Sequence, residues 1–193
     1  DAEHRKTEKT LPLVSVVIPA YNAEPYVSQT LDSVLHQTYG NFEVIIVDDC
    51  SEDNTWSVLQ SYAAGEKRIR LFQNKENSGV SKTRNFAVEE AKGELIAYLD
   101  SDDVWEESKL EKQVRLYLEK PDAALIYTGS AFIDAEGKRA SYVMPVPEEI
   151  DYRELLKQNK ISCSSVLVRR EYMLKYKMEG ENMHEDYAVW LRM

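Results

Sequence analysis

The chain is poor in cysteine, has no long apolar run and carries no excess of basic residues, and each shortage narrows the class of protein. Its two cysteines among 193 residues, Cys50 and Cys163, lack the spacing of a metal site and indicate a reduced cytosolic thiol pair, although nothing in the sequence forbids a bond between them. No apolar run approaches the roughly 18 residues of a membrane-spanning helix. Acidic residues number 34 against 24 basic ones, which argues against nucleic acid as a partner, because nucleic-acid phosphates are bound by basic surfaces.

The length of the chain is that of one domain. Residues 1–11 are charged, have no apolar core and do not begin with Met, which predicts a disordered leader or an added segment rather than a signal peptide. Residues 12–193 are predicted to form a single domain with two halves, 12–103 and 104–193. The chain reaches Met193 without a Gly or Pro stop signal, so we expect a domain that is truncated at its C-terminal end.

Strand-like and helix-like patterns alternate through the first half. Four short runs predict strands. Val14–Ile18, which is β-branched and closed by Pro19, and Phe42–Val47 are predicted to be buried, and Ile69–Phe72 and Glu94–Leu99 follow them. Between them apolar residues recur at helical spacing, as in Val27, Leu31 and Val34, in Trp56, Leu59 and Tyr62, and in Val80, Arg84, Ala87 and Ala91, where Gly93 is predicted to cap the helix. This alternation predicts an α/β fold with a mostly parallel sheet and helices on both faces.

The second half is predicted to be mixed. The expected elements are a helix through Leu110, Val114 and Leu118, two strands at Ala124–Ile133 and Lys138–Met144 around a turn at 134–137, a short helix capped by Asp151, a strand at Ile161–Val168 and a helix at Glu185–Met193.

Polar clusters follow three of the predicted strands, at the point where each strand ends. These clusters are Pro19–Asn22, Asp48-Asp49 and Asp100–Asp103. In open parallel sheets, ligands bind beyond the carboxyl ends of the strands. Independent strand ends therefore predict one binding site at a single edge of the sheet.

The acidic cluster after the fourth strand has the chemistry of a site for a divalent cation. Carboxylates two residues apart, such as Asp100 and Asp102, can face one pocket, and magnesium typically takes one or two protein carboxylates together with substrate phosphates. The alternative is a solvated acidic loop that precedes a helix. The position at the expected binding edge favours the cation site.

The other polar candidates also have structural alternatives. Asp48 lies too early to cap the next helix and is predicted to face a ligand, for instance by accepting from the N–H of a base, whereas Ser51 and Asp53 suit capping. Arg84 can reach an anionic ligand or be an ordinary surface charge. Glu185 and Asp186 at a helix start are, by default, favoured there by the helix dipole.

These residues resemble those of the family 2 glycosyltransferases, which have the GT-A fold. The resemblance covers about residues 12–193. Its motifs, in chain order, are the opening strand and loop at 14–22, the nucleotide-contacting turn at 47–55 with Cys50 where Gly is usual, Asn77-Ser78-Gly79, Arg84-Asn85, the Asp-x-Asp motif at 99–105, the acceptor-side strand at 163–170 and Glu185-Asp186 with Trp190-Leu191-Arg192. The segment Lys175–Met183 departs from the family, because it has one Gly where a Gly-Gly-Phe-like turn is usual.

The resemblance implies a GT-A (Rossmann-like) fold, with a nucleotide-sugar-binding half at 12–103 and an acceptor-side half at 104–193. It implies Asp186 as the catalytic base beside Glu185, and Asp102 as the ligand of a divalent cation, Mg or Mn. The implied donor-binding residues are Pro19, Tyr21, Asn22, Asp48, Asp49, Arg84, Asp100 and Ser101.

The implied activity is the inverting, metal-assisted transfer of a sugar from a nucleotide-sugar donor, UDP-linked, to a hydroxyl of a glycan or lipid-linked acceptor. This would serve polysaccharide or glycoconjugate synthesis in the cytoplasm, at the inner face of the membrane with peripheral association. The alternative is a non-catalytic nucleotide-sugar or glycan-binding module of the same fold. A phosphatase of the haloacid dehalogenase type fits poorly, because it needs Gly-Thr after the second Asp, where Asp103-Val104 stand.

Overall fold

A computed structural model describes residues 11–134, 137–180 and 184–193. The predicted leader, apart from Leu11, lies outside the described residues, as do 135–136 of the predicted turn and 181–183 of the segment before Glu185-Asp186. The strands are β1 (Val14–Ala20), β2 (Phe42–Asp48), β3 (Ile69–Gln73), β4 (Leu95–Tyr98), β5 (Leu125–Ile126), β6 (Ser130–Ile133), β7 (Arg139–Met144) and β8 (Leu167–Arg169). The helices are α1 (Val27–Leu35), α2 (Thr55–Gly65), α3 (Val80–Glu90), α4 (Lys109–Glu119), α5 (Tyr152–Leu155), α6 (Arg170–Lys175) and α7 (Glu185–Trp190).

The predicted α/β fold is confirmed. Six strands form one sheet in the order β3-β2-β1-β4-β8-β5, in which β1 to β4 are mutually parallel and β8 runs antiparallel to both β4 and β5. β1 occupies the centre of the parallel part, with Val14 opposite Phe42 on one side and Leu95 on the other. The carboxyl ends of β1, β2 and β4 therefore meet at one edge of the sheet.

Both faces of the sheet are covered, which explains why its strands are continuous apolar runs. All seven residues of β1 and of β2 are buried. One hydrophobic cluster packs α1, α2 and α4 against one face, and a second packs α3, α5, α6 and α7 against the other. A strand that is buried on both faces has no polar side, so its sequence does not alternate.

Two strands of the second half are shorter than predicted. The predicted strand Ala124–Ile133 is divided: Leu125–Ile126 joins the main sheet, whereas Ser130–Ile133 pairs with β7 in a separate two-stranded hairpin. In the predicted strand Ile161–Val168, residues Cys163–Ser165 form a 3₁₀ turn and only the end enters the sheet.

Hydrogen bonds explain the 3₁₀ turn. The Ser164 hydroxyl accepts from the backbone N–H of Asp100 at 3.0 Å, and its carbonyl accepts from the Trp105 indole at 2.8 Å. These contacts fix the turn against the end of β4, where a regular strand would pass beside it.

The predictions for the short elements are largely confirmed. Asp151 caps α5 by accepting from the N–H of Glu154 at 2.8 Å.

Both cysteines are free, as predicted. Within the part of the chain that the structure describes, no helix is long and apolar enough to cross a membrane.

Gly93 does not cap α3, because the helix ends at Glu90 and the following residue is already extended. Gly93 instead allows the chain to pass close to β1. A Cβ at this position would lie 2.6 Å from the carbonyl oxygen of Leu13 and 2.8 Å from the backbone nitrogen of Ser15. Because these are backbone atoms, neither can move aside at low cost.

Gly93→Ala is expected to lower the free energy of unfolding by about 1–3 kcal/mol, the range of an overpacked interior. The matched control is Gly65→Ala, at the end of α2, where a Cβ would meet nothing within 4 Å. Urea unfolding of both variants measures the difference. Equal unfolding midpoints for the two variants would contradict the close approach at Gly93.

Candidate active site

A cavity of about 390 Å³ opens at the carboxyl ends of β1, β2 and β4. Seven of the predicted site residues line it: Pro19, Tyr21, Asp49, Arg84, Asp100, Ser101 and Asp102. The loop before α3 completes the wall with Asn77 and Gly79. Parallel strand ends therefore bring together residues that are up to 83 positions apart in the sequence (from 19 to 102). Because the resemblance assigns these seven residues to the sugar donor and its cation, we call this cavity the donor pocket.

Asp48 lies behind the donor pocket rather than in its wall. The residue is fully buried, and its carboxylate accepts from the Ser51 hydroxyl at 2.5 Å and from the Gln73 amide at 3.0 Å. Cys50, with φ of 63° in the left-handed region, turns the chain so that Ser51 returns to Asp48. The contact of Asp48 with a base stays a prediction.

Asp49, the next carboxylate, holds the loop that borders the pocket. Its two oxygens accept from the Asn74 amide at 2.7 Å and from the backbone N–H groups of Ser78 and Gly79 at 2.8 and 2.9 Å. Gly79 has a φ of 84°, which a side chain would disfavour, and α3 begins directly after it. Asp49 therefore shapes the pocket by fixing the start of α3.

Asn22 has a comparable bridging position outside the pocket lining. Its backbone N–H donates to the Ser51 hydroxyl at 3.0 Å, and its side-chain oxygen accepts from the N–H of Glu52 at 2.8 Å. The loops that follow β1 and β2 are thereby joined to each other.

Arg84 connects the donor pocket to the last helix. Its guanidinium donates to Asp100 at 2.5 Å and to Glu185 at 2.8 Å, and its side chain is only 5% exposed. The surface-charge alternative for Arg84 is therefore wrong. The sequence did not predict the pairing with Glu185, 101 positions away. The signal for burial was present, because Arg84 stands between Val80 and Ala87 on the apolar stripe of α3.

Neither Glu185 nor Asp186 lines the donor pocket, but the bridge brings the helix that bears them next to it. Glu185 faces Arg84, whereas Asp186 is half-buried and accepts from the N–H of Tyr187 at 2.7 Å. Burial raises the pKa of Asp186 against the opposing effects of the Tyr187 N–H and of Arg84, and the negative charges of Glu185 and Asp100 raise it further. A carboxylate with a raised pKa is a stronger base, which suits it to accept a proton from a hydroxyl.

Cys163 lies buried beneath this group of charges. Burial raises the pKa of its thiol well above the ordinary value. The thiol is therefore neutral near pH 7 and packs as a small apolar side chain.

The pocket has the ligand atoms for a divalent cation that is coordinated partly by the protein and partly by a substrate. Asp102 is exposed at the pocket rim, and among the described residues nothing hydrogen-bonds or ion-pairs with its carboxylate. Across residues 11–134, 137–180 and 184–193, no three acidic, His or Cys side chains gather as they would to enclose a metal alone. One or two protein carboxylates completed by phosphates and water are typical of Mg²⁺, so these residues fit such an ion.

The sequence is similar to a group of bacterial glycosyltransferases. Residues 15–176 match the sequence model of the family "Glycosyl transferase family 2". The chain is 40% identical over 182 residues to the putative teichuronic acid biosynthesis glycosyltransferase TuaG of Bacillus subtilis, covering 94% of this chain and 72% of that protein. It is 36% identical over 179 residues to the Escherichia coli UDP-Glc:alpha-D-GlcNAc-diphosphoundecaprenol beta-1,3-glucosyltransferase WfgD, covering 93% and 68%.

Solved structures share the fold. The S. aureus TarS fragment 1–349 in complex with UDP-GlcNAc superposes with a TM-score of 0.73 at 25% identity, over 91% of this chain and 51% of that one. The mannosyltransferase PcManGT of Pyrobaculum calidifontis, in complex with GDP-Man and Mn²⁺, superposes with a TM-score of 0.72 at 20% identity, over 94% and 51%. The chain thus spans about half the length of these solved structures.

Proposed function

Since the chain belongs to glycosyl transferase family 2, we propose that it transfers a sugar from a UDP-linked donor to a hydroxyl of a glycan or lipid-linked acceptor, with inversion at the sugar. The observation that carries this proposal is the Asp100–Arg84–Glu185 bridge, which joins the donor pocket to the helix that bears Asp186. In this proposal the transfer is carried out by a single domain, residues 12–193, whose nucleotide-sugar-binding half is 12–103.

The donor pocket supports binding of a nucleoside diphosphate. Tyr21, 45% exposed at the pocket mouth, offers a ring face to a base, and Pro19 lies beside it. The printed descriptions of the similar TarS complex and of WfgD name UDP-GlcNAc and UDP-Glc, which favours uracil as that base. WfgD acts on a diphosphoundecaprenol-linked sugar, which supports the inner face of the membrane as the predicted working place.

Asp102 would hold the divalent cation, with Asp100 beside it. When bound there, such an ion neutralises the charge that develops on the leaving diphosphate. Arg84 keeps Asp100 oriented toward the pocket by the 2.5 Å contact. Without the cation and Arg84, an anionic donor would meet only carboxylates at this loop and would be repelled.

The transfer needs one proton acceptor and no covalent nucleophile. The acceptor oxygen attacks the anomeric carbon, the bond from that carbon to the diphosphate oxygen breaks, and the hydroxyl proton passes to Asp186. The nucleoside diphosphate leaves with the bonding electron pair. Glu185 orients this end of the site through Arg84. A single displacement inverts the configuration of the sugar.

Asp186→Asn is expected to reduce the transfer rate by about 10²–10⁴-fold, the contribution of a general base, while the dissociation constant of UDP stays nearly unchanged. Released UDP, measured with a panel of UDP-sugars and Mg²⁺ or Mn²⁺, reports the rate. Asp122→Asn is the matched control, because Asp122 is exposed beyond the end of α4. Transfer at the wild-type rate in Asp186→Asn would refute the base assignment.

The pH profile checks the same assignment independently. The base acts in its deprotonated form, so transfer is lost as the pH falls through its pKa. Because the pKa of Asp186 is raised, this loss on acidification should begin at a higher pH than the range near 4 of an exposed aspartate. The residual transfer of Asp186→Asn should lack this decline. A protein that binds UDP but never turns over would instead be a binding module.

Asp102→Ala is expected to remove the dependence of UDP affinity on the divalent cation. Calorimetry of UDP binding, with Mg²⁺ and with EDTA, measures this dependence in wild type and variant. The wild type should bind at least about tenfold more tightly with Mg²⁺, since a charge-assisted contact to phosphate is lost without it. A variant that keeps the wild-type gain would exclude Asp102 as the ligand.

A further inference from the structure

A second and larger cavity, of about 690 Å³, lies on the other side of the Asp100–Asp103 loop from the donor pocket. The start of α4 and the loop before it form one wall, and the hairpin of β6 and β7 forms the other. The floor is the 3₁₀ turn, where Ser164 binds the backbone of Asp100. We call this space the hairpin cavity. Because it adjoins the donor pocket, a molecule bound in it would lie beside the sugar donor.

The hairpin cavity contains a buried cation that has no anionic partner among the residues the structure describes. Lys109 lines it and is only 7% exposed. Its ammonium donates to the side-chain oxygen of Gln113 at 2.7 Å and lies 3.9 Å from the centre of the Trp105 ring. The Gln113 amide nitrogen donates to two backbone carbonyls, those of Ile126 and Ser165, which fixes its oxygen toward Lys109.

The charge of Lys109 is therefore held by neutral groups. None of the ion pairs among the described residues involves Lys109 or its neighbour Lys112, which also lines the cavity. Burial of an unpaired charge is costly, and here it lowers the pKa of Lys109 to about 7. Arg139, a third cation at the cavity, pairs with Glu106 at 2.6 Å. Asp103 also lines this wall, but among the described residues neither Lys109 nor Lys112 pairs with a carboxylate. In a chain with a net charge of −10, these two lysines favour an anionic ligand.

The opposite wall is apolar and exposed. Phe132, Ile133, Val143 and Met144 of the hairpin line the cavity with exposures of 60%, 42%, 46% and 38%. The hairpin is separate from the main sheet, and every residue of β7 is exposed. An isolated two-stranded hairpin is marginally stable in water, and a continuous exposed apolar patch marks a binding surface.

From the pairing of these two walls we infer that the hairpin cavity binds a lipid-linked sugar diphosphate as the acceptor, with the diphosphate on Lys109 and Lys112 and the lipid chain along the hairpin. A glycan acceptor would supply neither the anion that Lys109 lacks nor an apolar surface for Phe132. This inference rests on the proposed function, because it assigns the acceptor of that same transfer.

The test measures equilibrium binding of three probes in EDTA, where no metal can hold a diphosphate in the donor pocket. The probes are undecyl N-acetylglucosamine diphosphate, the neutral undecyl N-acetylglucosaminide and the methyl ester of N-acetylglucosamine diphosphate. The wild type should bind the first at least about tenfold more tightly than either of the others, because each comparator lacks one half of the recognition. Equal affinity for all three would overturn the inference.

Variants then identify the residues. Lys109→Met should weaken the undecyl diphosphate at least about tenfold and leave the neutral glycoside unchanged. Lys112→Met, at an exposed position, keeps the test decisive if Lys109→Met does not fold. Phe132→Ser should weaken both undecyl probes but not the methyl diphosphate. Lys157→Met, at an exposed lysine that does not line the cavity, is the matched control. Unchanged affinities in the lysine variants would overturn the inference.

UDP binding with Mg²⁺ distinguishes a failure of the acceptor inference from a failure of the proposed function. If UDP binds normally to every variant while the undecyl diphosphate does not distinguish them, the acceptor inference fails and the proposed function stands. If UDP does not bind to the wild type, the proposed function itself fails.

Discussion

The geometry of the candidate site depends on one buried guanidinium, that of Arg84, which is shared by Asp100 and Glu185. Asp100 follows the strand β4 at the donor pocket, and Glu185 begins the last helix. Without Arg84, two carboxylates with exposures of 33% and 16% would face each other without a counter-charge. Removal of one member of such a group is strongly destabilising, because the remaining charges stay desolvated. The bridge therefore fixes the distance between the donor pocket and Asp186.

The acidic excess of the chain acquires a meaning from this arrangement. The carboxylates at the strand ends differ in what they contact. Asp48 and Asp49 accept hydrogen bonds from other groups of the protein. Asp100 pairs with Arg84, and Asp102 is exposed at the rim. One carboxylate is thus left for an ion that arrives with its substrate. On the far side of the same loop, the hairpin cavity has Lys109 and Lys112, which form no ion pair within the described part of the chain.

The sequence predicted those features that follow from local patterns and failed where distant residues decide. Val14–Ile18 and Phe42–Val47 are strands because burial on both faces leaves no polar position, and the edge at which their ends meet follows from parallel topology. The 3₁₀ turn at Cys163–Ser165 was not predictable from its β-branched surroundings, because its hydrogen bonds go to Asp100 and Trp105. The partner of Arg84 likewise lies in a different helix.

The claim that Arg84 couples the donor pocket to the base helix is tested most directly by a double-mutant cycle on UDP affinity. Glu185 does not line the donor pocket, so we expect Glu185→Gln to act on UDP mainly by releasing Arg84 toward the diphosphate. The account predicts UDP binding about threefold tighter or more in Glu185→Gln, and no such gain when the same change is made in Arg84→Met. An equal effect in both backgrounds, or no effect in the wild-type background, would contradict it.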